Sequence, residues 1–131
     1  MKHLLLPNVL FLLAIFLTGC GDDLCTVDGT VTFEGQPVAQ AAILFVGGDN
    51  QSIREGAVVQ DGRFQIRLKP GRYRIELTGQ KVVGKRTQKG FDGQLEEINI
   101  TRELFPAKYN EKSELSEEFT AGRRTLSLDL K

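Results

Sequence analysis

The chain has 131 residues, and its 17 basic and 17 acidic residues give a formal net charge of zero. This balance provides no reason to expect nucleic acid or an anionic lipid surface as a partner, because binding to either requires an excess of basic charge. The single histidine, His3, lies at the extreme N-terminus, so the rest of the chain lacks the most common general base at neutral pH.

The N-terminal segment is apolar and ends in the tetrapeptide LTGC at residues 17–20, which resembles the lipobox of bacterial lipoproteins. Its uninterrupted apolar run covers only residues 9–17. A membrane-spanning helix needs roughly 20 apolar residues, so this run is too short to be one. The segment fits a signal peptide better, with Lys2 and His3 as its only basic residues.

The lipobox resemblance implies that residues 1–19 are cleaved and that the sulfur of Cys20 carries diacylglycerol. Residues 20–25 then form a lipidated tether, and residues 26–131 form one domain. Several acyl chains on one cysteine hold a protein at a membrane, whereas a single chain binds only marginally. We therefore expect an extracytoplasmic protein that is anchored to the cell membrane through Cys20, with the choice of inner or outer membrane open. Ordinary secretion and a retained anchor are the alternatives.

The second cysteine, Cys25, lies where the first predicted strand begins. A thioether-linked Cys20 cannot form a disulfide, so two possibilities remain for Cys25. It is either a small buried residue, which we favour, or a free thiol that can pair with another molecule.

After residue 26 the hydrophobic pattern is that of short strands, and no segment has the period of a long amphipathic helix. In the first strand Val27 and Val31 alternate with polar residues. Gly29 falls on their apolar side, where the missing side chain permits a β-bulge or close backbone approach. The almost wholly apolar run at residues 41–46 predicts a strand that is covered on both faces.

The next two strands are joined by the dipeptide DG at residues 61–62, which predicts a type I′ hairpin. A two-residue loop places Val59 opposite Phe64 and Ala57 opposite Ile66. These pairs share one apolar face, and the intervening residues form a polar face, as expected for a half-buried antiparallel sheet.

Two later stretches, residues 72–78 and 125–130, alternate in the same way. Their predicted core residues are Tyr73, Ile75, Leu77, Leu126, Leu128 and Leu130. About seven short strands in roughly 105 residues predict an all-β fold, an antiparallel two-sheet β-sandwich.

Three stretches carry a family resemblance: VDGTVTFEGQPVAQAAILF at residues 27–45, DGRF at residues 61–64 and PGRYRI at residues 70–75. They resemble the carboxypeptidase regulatory-like domains, which are related to transthyretin. The stretches KVVGK, FPAKYN and SEL, which begin at residues 81, 105 and 113, resemble short bacterial envelope lipoproteins that consist of this domain alone. The resemblance implies a transthyretin-like (prealbumin-like) fold for the mature chain, without the peptidase to which such domains are often attached.

Residues 79–114 show the weakest secondary-structure pattern in the chain, and loops of this length often bind a partner. The first part is basic and the second part is acidic. One interpretation is an extended edge strand, a mobile tip at residues 90–93 and a short helical turn around Ala107. The other is a shallow recognition surface beside the sheet edge. Its residues are Arg86, Phe91, Phe105 and Tyr109.

We predict no catalytic residue, no metal site and no cofactor. Loss of His3 with the signal peptide removes histidine-dependent nucleophile activation and histidine-ligated zinc. The adjacent carboxylates of Glu96 and Glu97 point to opposite faces of a strand, so they do not form a glycosidase pair. Calcium is a weaker alternative, because the candidate ligands lack the spacing of a known loop. These ligands are Asp22, Asp23, Asp49, Asn50 and Asp92.

The expected function is a noncatalytic envelope module that contacts an unknown envelope protein or wall component through its sheet edges, and not nucleic acid. A small-molecule or glycan binder is the alternative, although the chain has no tryptophan and only two tyrosines for stacking. A hydrolase with a carboxylate site assembled by folding is the third. An exposed sheet edge would favour the envelope module, an aromatic groove would favour the small-molecule or glycan binder, and an acidic pocket would favour the hydrolase.

Overall fold

The computed structural model describes residues 23–131. The predicted signal peptide and the lipidation of Cys20 lie outside these residues. The described part of the chain is all β, with ten strands and two short 3-10 helices. No helix in it is long and apolar enough to cross a membrane.

The strands are β1 (Cys25–Phe33), β2 (Gln36–Pro37), β3 (Gln40–Gly47), β4 (Ile53–Gln60), β5 (Arg63–Leu68), β6 (Gly71–Thr78), β7 (Gln80–Lys89), β8 (Leu95–Glu103), β9 (Ser116–Phe119) and β10 (Gly122–Leu130). The 3-10 helices cover Asp49–Gln51 and Ala107–Tyr109. The number of strands is ten instead of about seven. The difference arises because β2 and β9 are too short to show an alternation of apolar and polar residues. In addition, β8 lies in a stretch whose sequence pattern is that of a loop.

Eight strands form one sheet. Seven of them lie on one hydrogen-bonded path, in the order β10-β1-β5-β4-β3-β6-β9, and the eighth, β2, pairs with β1. The strands β7 and β8 pair only with each other. The registered pairs in the path are antiparallel, except that β10 runs parallel to β1 over its whole length. The last strand of the chain thus lies beside the first.

The hairpin between β4 and β5 forms at the predicted turn. Asp61 and Gly62 have φ angles of 52° and 76°, and a type I′ turn requires positive φ at both positions. The strands are registered by the pair of Gln60 and Arg63, which is the pair that a two-residue loop brings together.

The β4–β5 ladder ends after that one pair, because β4 continues beside β3 and β5 continues beside β1. The predicted pairs of Val59 with Phe64 and of Ala57 with Ile66 are therefore absent from the ladder. The predicted faces are nevertheless right: Val59, Phe64 and Ile66 are buried and Ala57 is half-buried.

The strand path divides at the β4–β5 pair into two halves, β10-β1-β5 and β4-β3-β6-β9. Apolar side chains from both halves pack into one buried cluster. The ring of Phe45 on β3 lies 6.0 Å from the ring of Phe64 on β5, centroid to centroid. The alternation predicted near the chain's end and in β6 is confirmed, since all of its proposed core residues are buried. They are Tyr73, Ile75, Leu77, Leu126, Leu128 and Leu130.

The outer face of β3 is covered only at Val46, which is 2% exposed, so the prediction that both faces are covered along residues 41–46 is wrong for most of the strand. Ile43 and Phe45 are buried on the core side, whereas Ala42 is exposed and Leu44 is half-buried on the other side. The run of apolar residues reflects an apolar outer surface on β3 and not a second covering layer.

The strand β1 begins at Cys25, one residue before the predicted start of the domain. Cys25 is completely buried, which confirms the favoured of its two predicted positions. Its side chain belongs to the core cluster, where a small apolar group is needed.

Candidate functional site

The strands β7 and β8 form a long hairpin that shares no strand pairing with the rest of the described chain. Its ladder runs from the pair of Gln80 and Glu103 to the pair of Lys89 and Leu95. Within the two strands only Gly84 and Ile98 are even half-buried, and every other residue is exposed. The predicted extended edge strand and the tip at residues 90–93 are therefore parts of a two-stranded ribbon, in which β8 is the second strand.

The base of this hairpin is fixed by hydrogen bonds around Glu103. The Glu103 Oε1 atom accepts from the amide of Gly79 at 2.8 Å and from the amide of Phe105 at 3.2 Å. The amide of Leu104 donates to the carbonyl of Gly79 at 2.8 Å. The ribbon is thus tied to the end of β6 at its base.

The tip of the hairpin, residues 90–94, is a set of hydrogen-bonded turns. The Gly90 amide donates to the Gln94 carbonyl at 2.8 Å, and the Gly93 amide donates to the Gly90 carbonyl at 3.0 Å. The Asp92 carboxylate accepts from the Gln94 amide at 2.9 Å. This arrangement leaves the Phe91 ring fully exposed, with a relative exposure of 115%.

Exposed apolar side chains concentrate on the hairpin. Of the six large hydrophobic residues that are exposed in residues 23–131, five lie between the first residue of β7 and the last residue of β8. These five are Val82, Val83, Phe91, Leu95 and Ile100. Scattered single apolar residues are ordinary on protein surfaces, so it is their concentration on the hairpin that distinguishes these five.

The two strands of the hairpin carry opposite charge. The strand β7 has four basic residues and no acidic residue, whereas β8 has three glutamates and one arginine. One ion pair joins them, with Lys85 Nζ 2.6 Å from Glu97 Oε1. Both of its side chains are more than half exposed, so this pair contributes little to stability.

The four residues proposed as a recognition surface do not form one. Arg86 and Phe91 lie on the hairpin and are exposed, but Phe105 is only 3% exposed and belongs to the core cluster. The Phe105 ring packs edge-on against Phe33, with centroids 5.4 Å apart. Its inclusion in an exposed surface was wrong, because the chain returns to the core directly after β8.

Tyr109 also has a structural role. Its half-buried ring lies edge-on to Phe33 at 6.5 Å, and its hydroxyl donates to the Lys131 carbonyl at 2.9 Å. The same hydroxyl accepts from the Lys131 amide at 3.1 Å. The hydrogen bonding with the Lys131 backbone lowers the pKa of Tyr109. The residue ties the second 3-10 helix to the end of the chain.

Two open depressions lie on the outer faces of the strands, and both include Val58. One, of ≈ 530 Å³, is apolar and is lined mainly by β3 and β4, including Ala42 and Leu44. The other, of ≈ 580 Å³, lies where β4 and β5 diverge and includes Asp28 and Arg63. Neither contains a pair of facing carboxylates, and residues 23–131 contain no group of three residues suited to hold a metal ion.

The Asp28 carboxylate bridges three neighbouring strands. Arg123 Nε on β10 donates to Asp28 Oδ2 at 2.8 Å, and Gln65 Nε2 on β5 donates to Asp28 Oδ1 at 2.7 Å. The hydrogen bond from Arg123, followed by that from Gln65, lowers the pKa of Asp28. A carboxylate that is held ionised in this way is unsuited to act as a general acid at neutral pH.

No protein-family model matches this chain, and no curated protein matches it either. Among solved structures, it aligns with a crystal structure of a 9R-lipoxygenase from Cyanothece PCC8801 at 13% sequence identity and a TM-score of 0.30. The alignment covers 83% of this chain and 16% of the lipoxygenase chain. A similarity at this level carries no argument about fold family or activity.

Proposed function

We propose that this protein is a noncatalytic, lipid-anchored module of the bacterial cell envelope that binds another protein or a wall component through its β7–β8 hairpin. The observation that carries the proposal is the exposure of the hairpin. Five of the six exposed large hydrophobic residues among those described lie on it.

An isolated two-stranded ribbon is at best marginally stable in water, because it lacks a third strand or a packed layer to cover its side chains. The hairpin of this protein has neither within residues 23–131. Its outer edges also present backbone amides and carbonyls that other strands can pair with. A partner that adds a strand to the hairpin covers its exposed side chains and also pairs with its free backbone groups. The ribbon is therefore suited to binding by strand addition.

The anchor follows from the lipobox resemblance at residues 17–20. Only four residues separate Cys20 from Cys25, the first residue of β1. The five residue steps from Cys20 to Cys25 reach at most about 18 Å, so a lipid on Cys20 holds the start of the domain close to the membrane. The base of the hairpin lies at the other end of β1, where Phe105 packs against Phe33, so the hairpin leaves the domain away from the anchored end.

The fold that we propose is a transthyretin-like β-sandwich of the carboxypeptidase regulatory-like type. Two features support it. The strand path changes partners at the single β4–β5 pair, and the side chains of its two halves share one core. The rings of Phe45 and Phe64 belong to different halves and contact each other.

The proposal is tested by photo-crosslinking in a bacterium that processes lipoproteins. A photoreactive residue replaces Phe91 at the hairpin tip or, in the matched control, Arg67 on the exposed face of β5. The proposal expects a specific crosslinked product from position 91 and none from position 67. Equal labelling at both positions, or no product from either, would overturn it.

A further inference from the structure

The outer edges of the β7–β8 hairpin differ in charge, although both belong to the same ribbon. The basic residues of β7 are Lys81, Lys85, Arg86 and Lys89. The charged residues of β8 are Glu96, Glu97, Arg102 and Glu103. Since β7 and β8 pair only with each other, each strand keeps one edge without a strand partner among the described residues.

We propose that the β7 edge of one copy pairs with the β8 edge of a second copy, so that the two hairpins form a continuous four-stranded sheet. This inference rests on the proposed function, because it names the partner of the same hairpin. A second copy fits, since it supplies the opposite charge and a free strand edge together.

Charge decides which edges meet. Pairing two β7 edges would bring eight basic residues together, and pairing two β8 edges would bring six glutamates together. Like charges on adjacent strands are destabilising, whereas opposite charges contribute roughly 0.2–1 kcal/mol for each cross-strand pair. The unlike edges are therefore the complementary ones.

Strand direction is compatible with this pairing. The strands β7 and β8 are antiparallel, so a second hairpin in the same orientation continues the alternation as β8-β7-β8-β7. Ile98 and Ile100 are two residues apart and therefore share one face of the ribbon, with Arg86 and Gly84 as their cross-strand neighbours. In a four-stranded sheet the isoleucines of both copies lie on a common face, with one β7 strand between the two pairs.

The contact is head-to-tail, because different edges of the two copies meet. Each pair of copies therefore keeps one free β7 edge and one free β8 edge. Further copies can add at these edges, and the assembly extends along the membrane to which the chains are anchored.

Two charge reversals test this pairing, Arg86→Glu on β7 and Glu96→Lys on β8. Both residues are exposed, and neither takes part in the ion pairs of residues 23–131, so the Lys85–Glu97 pair inside the hairpin is kept. Arg67→Glu, on the exposed face of β5, is the matched control. The full chain is coexpressed with two different C-terminal tags, extracted in detergent, and assayed by the fraction of one tag that is recovered with the other.

Wild-type copies are expected to recover each other. Each single reversal, present in both tagged copies, should lower recovery roughly fivefold, because an attractive pair becomes a repulsive one. Coexpression of an Arg86→Glu copy with a Glu96→Lys copy should restore recovery, since each reversed edge then meets an opposite charge. Circular dichroism of each variant verifies that it is folded.

Recovery that is unchanged by either reversal, or that is not restored between two folded complementary variants, would overturn the pairing. If wild-type copies do not recover each other while position 91 crosslinks to a different envelope protein, this inference fails and the proposed function stands. If neither result is obtained, both fail.

Discussion

The ring of Phe64 fills the space directly beside Gly29 on the neighbouring strand. The two residues are registered partners across β1 and β5. A Cβ atom at residue 29 would overlap the Phe64 ring, so the absence of a side chain there is what lets the ring lie flat against β1. The sequence predicted a bulge or a close backbone approach at Gly29, whereas the structure has an aromatic side chain packed over the glycine.

Phe64→Ala is expected to lower the free energy of unfolding by about 3–5 kcal/mol, because it leaves a cavity between β1 and the Phe45 ring. The Phe64 side chain is 6% exposed and contacts Phe45. Chemical denaturation of both proteins measures the difference. A loss below about 1 kcal/mol would mean that Phe64 does not pack in the core.

Gly29→Ala is expected to destabilise the domain by about 1–3 kcal/mol, because the added methyl group overpacks the site. In the Phe64→Ala background the same change should cost much less, since the ring that it meets is gone. A double-mutant cycle from four denaturation curves measures this coupling. Equal costs in the two backgrounds would show that Gly29 is needed for another reason.

Asp28 should make stability depend on pH in the acid range. Its pKa is lower in the folded chain than the ordinary value of 3.8, because of the hydrogen bonds from Arg123 and Gln65. The unfolded chain therefore binds the proton first as the pH falls. The stabilisation is fully present above the unfolded pKa and is lost as the pH falls through the folded pKa.

Asp28→Asn is expected to remove this part of the acid dependence, so that its stability differs less from that of the wild type at pH 2 than at pH 6. Denaturation curves at both pH values measure the effect, and Glu114→Gln, at an exposed position, is the control. An unchanged difference at the two pH values would contradict the account of Asp28.

Phe91 and Phe105 should respond in opposite ways to truncation. Phe91 is fully exposed and Phe105 is 3% exposed. Phe105→Ala should therefore lower the free energy of unfolding by about 3–5 kcal/mol, whereas Phe91→Ala should change it by no more than about 0.5 kcal/mol. If Phe91→Ala were the more destabilising of the two in thermal and chemical denaturation, the placement of the hairpin tip would be wrong.

The strands that could be predicted from the sequence are those with one buried face and one exposed face. In β5, Phe64 and Ile66 are buried while Arg63 and Gln65 are exposed, so residue type alternates with burial. The same holds for β6 and β10. The pattern exists because one face of each strand is exposed to solvent and the other face packs against the core.

The hairpin was not predicted, because both of its faces are exposed. In β7 the run KVVGKRTQK has no alternation, since burial imposes none. A bulge between Val82 and Gly84 further disturbs the period. The change from basic to acidic charge along residues 79–114 was visible, but that it separates two paired strands is a property of the folded chain.

The inward packing of Phe105 and Tyr109 was not predicted, for a related reason. An aromatic residue in an irregular stretch can lie on either side of the chain, and periodicity does not decide which. Phe91 points to solvent, whereas Phe105 and Tyr109 pack against Phe33 on β1. Their partner is more than seventy residues away in sequence, so only the tertiary fold identifies them as structural.

The proposed lipid anchor on Cys20 is tested most directly by the intact mass and the detergent partitioning of the full chain. Wild type and Cys20→Ser are expressed in a bacterium that processes lipoproteins. The wild-type protein should lack residues 1–19, carry a diacylglyceryl group and enter the detergent phase, and Cys20→Ser should leave that phase. An unmodified wild-type product that stays in the aqueous phase would contradict the claim.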